Sequence, residues 1–171
     1  PNSITDEQIA KMVEDLKEDE SVIVKLSALV ASHQEVVAMV SQFDIMPILA
    51  NCLSSSHDPH IISHLISVIS TLLLDETLVA SFIEHGGPQA LLDLLLRFVT
   101  SMIPKLLDCF ITIITNERIV FTQQHLAKIA TFLLSTDLSD RQTAIQLLDK
   151  IIDKQCYDDD AIFAVVVENL L

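Results

Sequence analysis

The residue types best suited to metal chemistry gather between Cys52 and His64. Three histidines follow the cysteine, at positions 57, 60 and 64. On a helix, His60 and His64 would share one face, as a pair of zinc ligands requires. The spacing matches no strong zinc signature, and an acidic third ligand could only be guessed. We therefore interpret these histidines as surface or capping residues, and expect no metal and no cofactor.

Sequence signatures of catalysis are missing from the chain. It contains no GxSxG, HExxH, GxxxxGK[ST] or GxGxxG motif. A nucleophile also needs a base within hydrogen-bond reach and a set of oxyanion donors. The acidic run at 158–160 is typical of a helix start rather than of a calcium loop, which needs alternating oxygen ligands and a glycine. We expect no enzymatic activity.

The three cysteines, Cys52, Cys109 and Cys156, lie far apart with no CxxC spacing. Each falls in or near an apolar helix, where a cysteine packs as a small hydrophobic residue. Such thiols persist in a reducing compartment. The pattern predicts buried structural thiols and a cytoplasmic location, with the nucleus as the alternative.

Composition and charge favour a helical protein with a protein partner. Hydrophobic residues make up 50% of the 171 residues, with only two glycines and one tyrosine, which favours helices buried on more than one side. No apolar run reaches the roughly 18 residues of a membrane span. A net charge of -14 disfavours nucleic acid and anionic membranes, and favours a basic protein segment or serves solubility alone.

The most regular stretch predicts three consecutive helices. Asp58 caps a long helix with Pro59 in its first turn. A short helix over 77–85 ends at Gly86-Gly87, which can adopt the positive φ that closes a helix, and Pro88 opens the third helix, which runs to Leu96. The apolar face of the long helix consists of Ile61, Ile62, Leu65, Ile66, Ile69, Leu72 and Leu73.

Apolar spacing and caps predict further helices on both sides. Thr5 and Gln8 form a capping box for a first helix. Further helices are predicted over 20–32, 35–41, 48–53, 105–115 and 123–134, the last of these capped by Thr122. A helix capped by Ser139 follows, and a final helix begins at Ala161. The inward residues predicted for three of them are Ile9, Met12, Val13 and Leu16; Ile23, Leu26, Leu29 and Val30; and Ala144, Ile145, Leu148, Ile151 and Ile152.

One element recurs along the chain. FDIMPILANCL at 43–53 and HGGPQALLDLL at 85–95 are copies, and QQHLAKIATFL at 123–133 is a looser third. A period of about 42 residues is typical of armadillo and HEAT repeats. The order of DPHIISHL, LLLDETLVASFIEHGG and ALLDLLL resembles the armadillo repeat. The resemblance implies an all-α fold, an α-solenoid forming a right-handed superhelix of about four repeats.

We expect residues 1–171 to form a single domain of this kind. The chain begins at Pro1 without an initiator methionine and stops inside an apolar helix, so we interpret it as a fragment of a longer protein. Whether the repeats are of the armadillo or the HEAT type stays open, although the Gly86-Gly87 unit favours armadillo.

The resemblance also indicates where a partner would bind. In armadillo proteins the third helix of each repeat lines a concave groove, and in importin-α an Asn and a Trp on that helix hold a basic peptide. Those places fall on Thr71 and Ser67, and in the next repeat on Thr112 and Asp108, so a reader of nuclear signals is not supported. The predicted groove residues are His60, Ser63, His64, Ser67, Thr71, Asp108 and Thr112. A wider polar set adds Lys25, Arg141 and Asp149.

Two classes of function follow from the resemblance. The first is a non-enzymatic scaffold that binds a helix or an extended, basic peptide of another protein in the groove. The second is a structural dimerisation or spacer domain, whose apolar ends pair as a homodimer or with further repeats. Resemblance to the armadillo regions of formins, which bind Rho-type GTPases, and of co-chaperones that clasp a heat-shock chaperone provides two narrower alternatives.

Overall fold

The chain is all-helical, as predicted. A computed structural model describes residues 4–97 and 103–158, and in these ranges it contains ten α-helices, one 3-10 helix and no strand. An isolated bridge pairs Phe121 with Tyr157. The chain divides into two compact units, one ending at Gly87 and the other beginning at Pro88.

The first unit contains six complete helices. They are α1 (Asp6–Leu16), α2 (Val22–Ser32), α3 (Gln34–Ser41), α4 (Met46–Ser55), α5 (Pro59–Leu72) and α6 (Glu76–Glu84). Helices α2 and α5 pack side by side, α1 covers α2 and α3, and α4 covers α5 and α6. Leu26 of α2 and Ile62 and Leu65 of α5 are fully buried in this core.

The second unit is built around the pairing of α8 with α10. Its helices are α7 (Gly87–Arg97), which begins at the last residue of the first unit, α8 (Ile103–Ile114), α9 (Gln123–Ala130), the 3-10 helix Thr131–Leu134 and α10 (Leu138–Asp153). The 3-10 helix packs on α9 and α10. Phe110 and Phe121 meet edge to face, with 5.2 Å between ring centroids, and both are fully buried.

Most predicted caps are confirmed. Thr5 Oγ1 accepts a hydrogen bond from the Gln8 N–H at 3.2 Å, and Gln8 Oε1 accepts one from the Thr5 N–H at 2.9 Å, which completes the capping box of α1. Thr122 caps α9 in the same way, with His125 in the third helical position. Local hydrogen bonds of this kind depend on residues three apart, so the sequence alone reveals them.

Several predicted helix bounds are wrong. Helix α4 begins at Met46 rather than at residue 48, α8 begins at Ile103 rather than at residue 105, and α9 ends at Ala130, where a 3-10 helix continues to Leu134. Helix α2 begins at Val22 rather than at residue 20, because Asp19 Oδ1 accepts from the Ser21 N–H and hydroxyl and holds a turn there. Asp137, not Ser139, caps α10, since its carboxylate accepts from the N–H groups of Ser139 and Asp140. The predicted helix from Ala161 lies outside the described residues.

The predicted inward faces need correction on three helices. Ile145 and Ile152 of α10 are 57% and 53% exposed, and Leu147, which was not predicted, is buried instead. Met12 of α1, Leu29 of α2 and Leu148 of α10 are only half-buried. Periodicity identifies a broad apolar side, but the neighbouring helices decide how much of that side is covered.

The cysteines are buried thiols, as predicted. Cys52 lies in α4, Cys109 in α8, and Cys156 follows α10. Burial raises the pKa of the Cys52 thiol, and the carboxylate of Glu20 raises it further. A thiol with a raised pKa is a poor nucleophile at neutral pH, which agrees with a structural role for Cys52.

No single helix in the described ranges is both long enough and apolar enough to cross a membrane. Helices α3 and α4 together reach the necessary length, but the chain bends by 96° between them.

His125 is buried and holds the start of α9. Its Nδ1 accepts a hydrogen bond from the Thr122 N–H at 3.0 Å, so the ring proton lies on Nε2. Burial lowers the pKa of His125, while a backbone hydrogen bond with Leu92 and the carboxylate of Asp93 offset part of this effect. The cap at the start of α9 therefore needs the neutral imidazole. This role of His125 was not predicted from the sequence.

The closing turn of α6 uses its two glycines for different reasons. Gly86 has φ of +79°, as predicted, whereas Gly87 does not and already begins α7. A Cβ atom at Gly87 would overlap the ring of Phe82, which is fully buried. Gly86 thus needs the backbone freedom of glycine, whereas Gly87 needs the space that the absent side chain leaves.

We expect Gly87→Ala to lower the free energy of unfolding by about 1–3 kcal/mol, since a rigid ring must move. Gly86→Ala should cost about 1 kcal/mol, and Gly86→Asn less, because asparagine tolerates positive φ. Urea unfolding of the three variants tests this order. Equal losses for Gly87→Ala and Gly86→Asn would contradict it.

We also expect the chain to lose stability as pH falls below about 6.5, the ordinary pKa of histidine. The folded pKa of His125 is lower than the unfolded one, so the unfolded state binds the proton first. His125→Gln keeps an acceptor for the Thr122 N–H and cannot titrate. Unfolding midpoints between pH 7.5 and 5.5 should fall more for wild type than for His125→Gln, and parallel losses would refute the assignment.

Candidate interaction surface

Helix α5 presents most of the predicted groove residues on one face. Its N-terminus is fixed by Asp58, whose carboxylate accepts from the His60 N–H at 2.9 Å, with Pro59 as the first helical residue. The opposite face is buried against the first unit. The buried residues of α5 are Ile61, Ile62, Leu65, Ile66, Val68, Ile69 and Leu72.

The polar strip of α5 is defined as His60, Ser63, His64, Ser67 and Thr71. His60 and Ser63 are exposed, and the other three are half-buried. The spacing of three or four residues places all five on one side of the helix. The structure therefore brings these five predicted residues together on a single open face.

A small cleft lies where the polar strip meets α2. Ser67 and Thr71 line it together with Ser27 and Ala31, and its volume is about 20 Å³. Thr71 Oγ1 donates to the main-chain carbonyl of Ser67 at 3.2 Å. Small side chains from both helices, Ser27 and Ala31 of α2 and Ser67 of α5, line this seam.

His60 and His64 contact each other rather than a common third ligand. Their rings meet edge to face, with centroids 4.7 Å apart. Cys52 is buried within α4. In residues 4–97 and 103–158, no group of three or more His, Cys, Asp or Glu side chains is arranged to hold a metal ion.

The remaining predicted residues, Asp108 and Thr112, lie on α8 in the second unit. Thr112 Oγ1 donates to the main-chain carbonyl of Asp108 at 3.3 Å. Partial burial raises the pKa of the Asp108 carboxyl, although the residue is exposed overall. Within the described ranges no lysine or arginine forms an ion pair with it. Its charge is thus partly desolvated, and no lysine or arginine among the described residues pairs with it.

The structure also shows a surface that the sequence interpretation missed. A cleft of about 320 Å³ lies between α1 and α2. Half-buried apolar side chains form its floor, and exposed polar ones line its edge. The lining residues are Ile4, Met12 and Leu29, with Gln8, Lys11, Asp15 and Lys25. The sequence feature that could have indicated this cleft is the pair Met12 and Leu29, two apolar residues that were predicted to point inward.

Comparison with known proteins defines the fold. No protein-family model matches the sequence, and no curated protein matches it either. Solved structures do match. A designed armadillo repeat protein in complex with the peptide (KR)4 superposes with a TM-score of 0.64 at 16% identity, over 95% of this chain and 70% of that one. The chain has an armadillo-like helical-repeat fold.

Two further structures support this armadillo-like assignment. Computationally designed armadillo repeat proteins for modular peptide recognition give a TM-score of 0.65 at 16% identity, over 91% of this chain and 68% of theirs. An engineered protein gives 0.66 at 15% identity over 93% of this chain. The chain spans only 40% of the length of that engineered protein.

Removal of the Asp58 cap should destabilise α5, the helix that carries the polar strip. We expect Asp58→Ala to lower the free energy of unfolding by about 1 kcal/mol, the usual cost of a lost N-cap. Asp44→Ala is the matched control, because Asp44 is exposed and the start of α4 has no side-chain cap. Urea unfolding that shows the same stability for both variants would argue against the cap.

Proposed function

We propose that this chain is a non-enzymatic interaction module that binds an extended or helical segment of another protein. The observation that carries the proposal is the polar strip of α5, an open face on a helix whose other side is buried. Polar residues at the surface of so firmly held a helix can contact a partner without rearrangement of the core. Small side chains at Ser63 and Ser67 would admit a backbone or helix closely.

Several features support a basic partner. The net charge of -14 would speed the approach of a cationic segment. Within the second unit, the partly desolvated carboxylate of Asp108 on α8 would gain from a lysine or arginine of the partner. One structurally similar designed protein is in complex with the alternating basic peptide (KR)4. We propose the cytoplasm as the setting.

The charge contribution can be tested with a fluorescent (KR)4 peptide in an anisotropy titration. We expect binding that weakens as salt rises, and a loss of about threefold to tenfold for Asp108→Asn, which corresponds to the net contribution of one ordinary hydrogen bond at a solvent-accessible site. Asp44→Asn carries the same charge change at an exposed position outside α8. Equal losses for both variants would assign the attraction to the overall field instead of to Asp108.

Folding stability separates a binding role for Asp108 from a structural one. Because burial raises the pKa of its carboxyl, ionisation of Asp108 costs the folded state at neutral pH. Asp108→Asn should therefore be at least as stable as wild type at pH 7 while it binds peptide more weakly. A clear loss of stability would indicate that the carboxylate has a structural partner.

The role of the polar strip in binding is tested by substitution with larger, uncharged side chains. Ser67→Gln with Thr71→Gln should reduce peptide affinity by filling the seam between α2 and α5. Ser54→Gln, at an exposed site on α4, is the control. Thermal melts must show that the double variant remains folded. Unchanged affinity in a folded double variant would remove this face from the binding site.

Self-association is the second candidate function. It is favoured by large apolar side chains that α10 leaves exposed, with Leu138 and Ile145 both more than half accessible. In this arrangement the chain would act as a dimerisation or spacer domain. Sedimentation velocity at rising protein concentration tests it, and a constant monomer mass would exclude it.

A further inference from the structure

Helix α10 carries an apolar stripe that no described residue covers. Leu138, Ile145 and Ile152 are 59%, 57% and 53% exposed. They recur every seven residues, which is close to two helical turns, so they lie on one side of the helix. Single exposed apolar residues are common, but three in line on one helix mark an interaction face.

Asp149 gives this stripe a charged neighbour. It lies one turn from Ile145 and Ile152, is exposed, and forms no ion pair with a residue in the described ranges. The stripe therefore combines aliphatic side chains with an available carboxylate.

The cleft between α1 and α2 has complementary chemistry. Met12, Leu29 and Ile4 offer an apolar floor in a volume of about 320 Å³. Lys25 is exposed at its edge and pairs with none of the described acids, whereas Lys11 is engaged with Asp15 at 3.1 Å. An aliphatic stripe beside a carboxylate fits this cleft in both polarity and charge.

Helices within each unit already pack side by side, α2 with α5 and α8 with α10. We propose that α10 of one copy docks into the α1–α2 cleft of a second copy, with Asp149 near Lys25. This inference rests on the self-association candidate and specifies its geometry. The two surfaces differ, so the interface is heterologous and leads to a closed ring or to an open chain of copies.

Sedimentation velocity of the full chain across a wide concentration range tests the geometry. The mass of wild type should rise with concentration, to a reciprocal dimer or to a longer assembly. Ile145→Asp disables the stripe, and Lys25→Glu disables the cleft, each weakening association about tenfold or more. The controls are Gln146→Asp, exposed on another side of α10, and Lys17→Glu, outside the cleft. Both controls should associate like wild type.

The decisive experiment mixes the two disabled variants. Ile145→Asp retains an intact cleft and Lys25→Glu an intact stripe, so together they should form a 1:1 dimer that cannot grow. Asp149→Lys should likewise restore the affinity of a Lys25→Glu cleft.

A mixture that stays monomeric overturns the proposal. Self-association that Lys25→Glu leaves unchanged also overturns it, because the stripe would then pair with itself. Either result leaves the self-association candidate in place for a wild type that does associate. A wild type that is monomeric throughout removes both the candidate and this geometry.

Discussion

The wide apolar face of α5 constrains everything around it. Seven of its fourteen residues are buried, including Ile61 and Val68 at the margins of that face. A face so wide must be covered from more than one direction, and α2, α3 and α4 supply the cover. Each fully buried aliphatic side chain contributes about 1.5–3 kcal/mol. The helix is consequently fixed, and only its narrow polar strip remains open to a partner.

Local features of this architecture could be predicted from the sequence. The capping box of Thr5 and Gln8, the cap at Asp58 and the positive φ of Gly86 each depend on a few adjacent residues. Short-range chemistry determines them, and tertiary packing leaves them unchanged. The five residues of the polar strip were predictable for the same reason, since helical spacing alone places them together.

Features that depend on neighbouring helices could not be predicted. Ile145 has the right spacing for a core position, yet no described helix packs over it. Leu29 lines a cleft because α1 leaves a gap beside α2. Hydrophobicity indicates that a residue favours burial, and only the arrangement of the other helices shows whether burial occurs. The pKa of His125 likewise depends on Leu92 and Asp93, which belong to α7 and are far from it in the sequence.

The acidic residues that would attract a basic partner at long range are mostly different from the residues that would contact it. The polar strip of α5 contains no carboxylate, whereas the predicted groove residues on α8 include one, that of Asp108. Most acids therefore lie elsewhere on the chain and act at long range, where salt screens them. Affinity at short range would depend on few groups, in keeping with the small number of residues that dominate most interfaces.

The buried thiols make each unit a reporter of its own opening. Cys52 belongs to the first unit, and Cys109 and Cys156 to the second. An alkylating reagent can react only with an accessible thiolate, so modification requires a local or global opening event. The rate at Cys52 would follow the first unit and the rates at the other two would follow the second. The chain thus contains built-in probes of whether its two halves unfold as one cooperative body or separately.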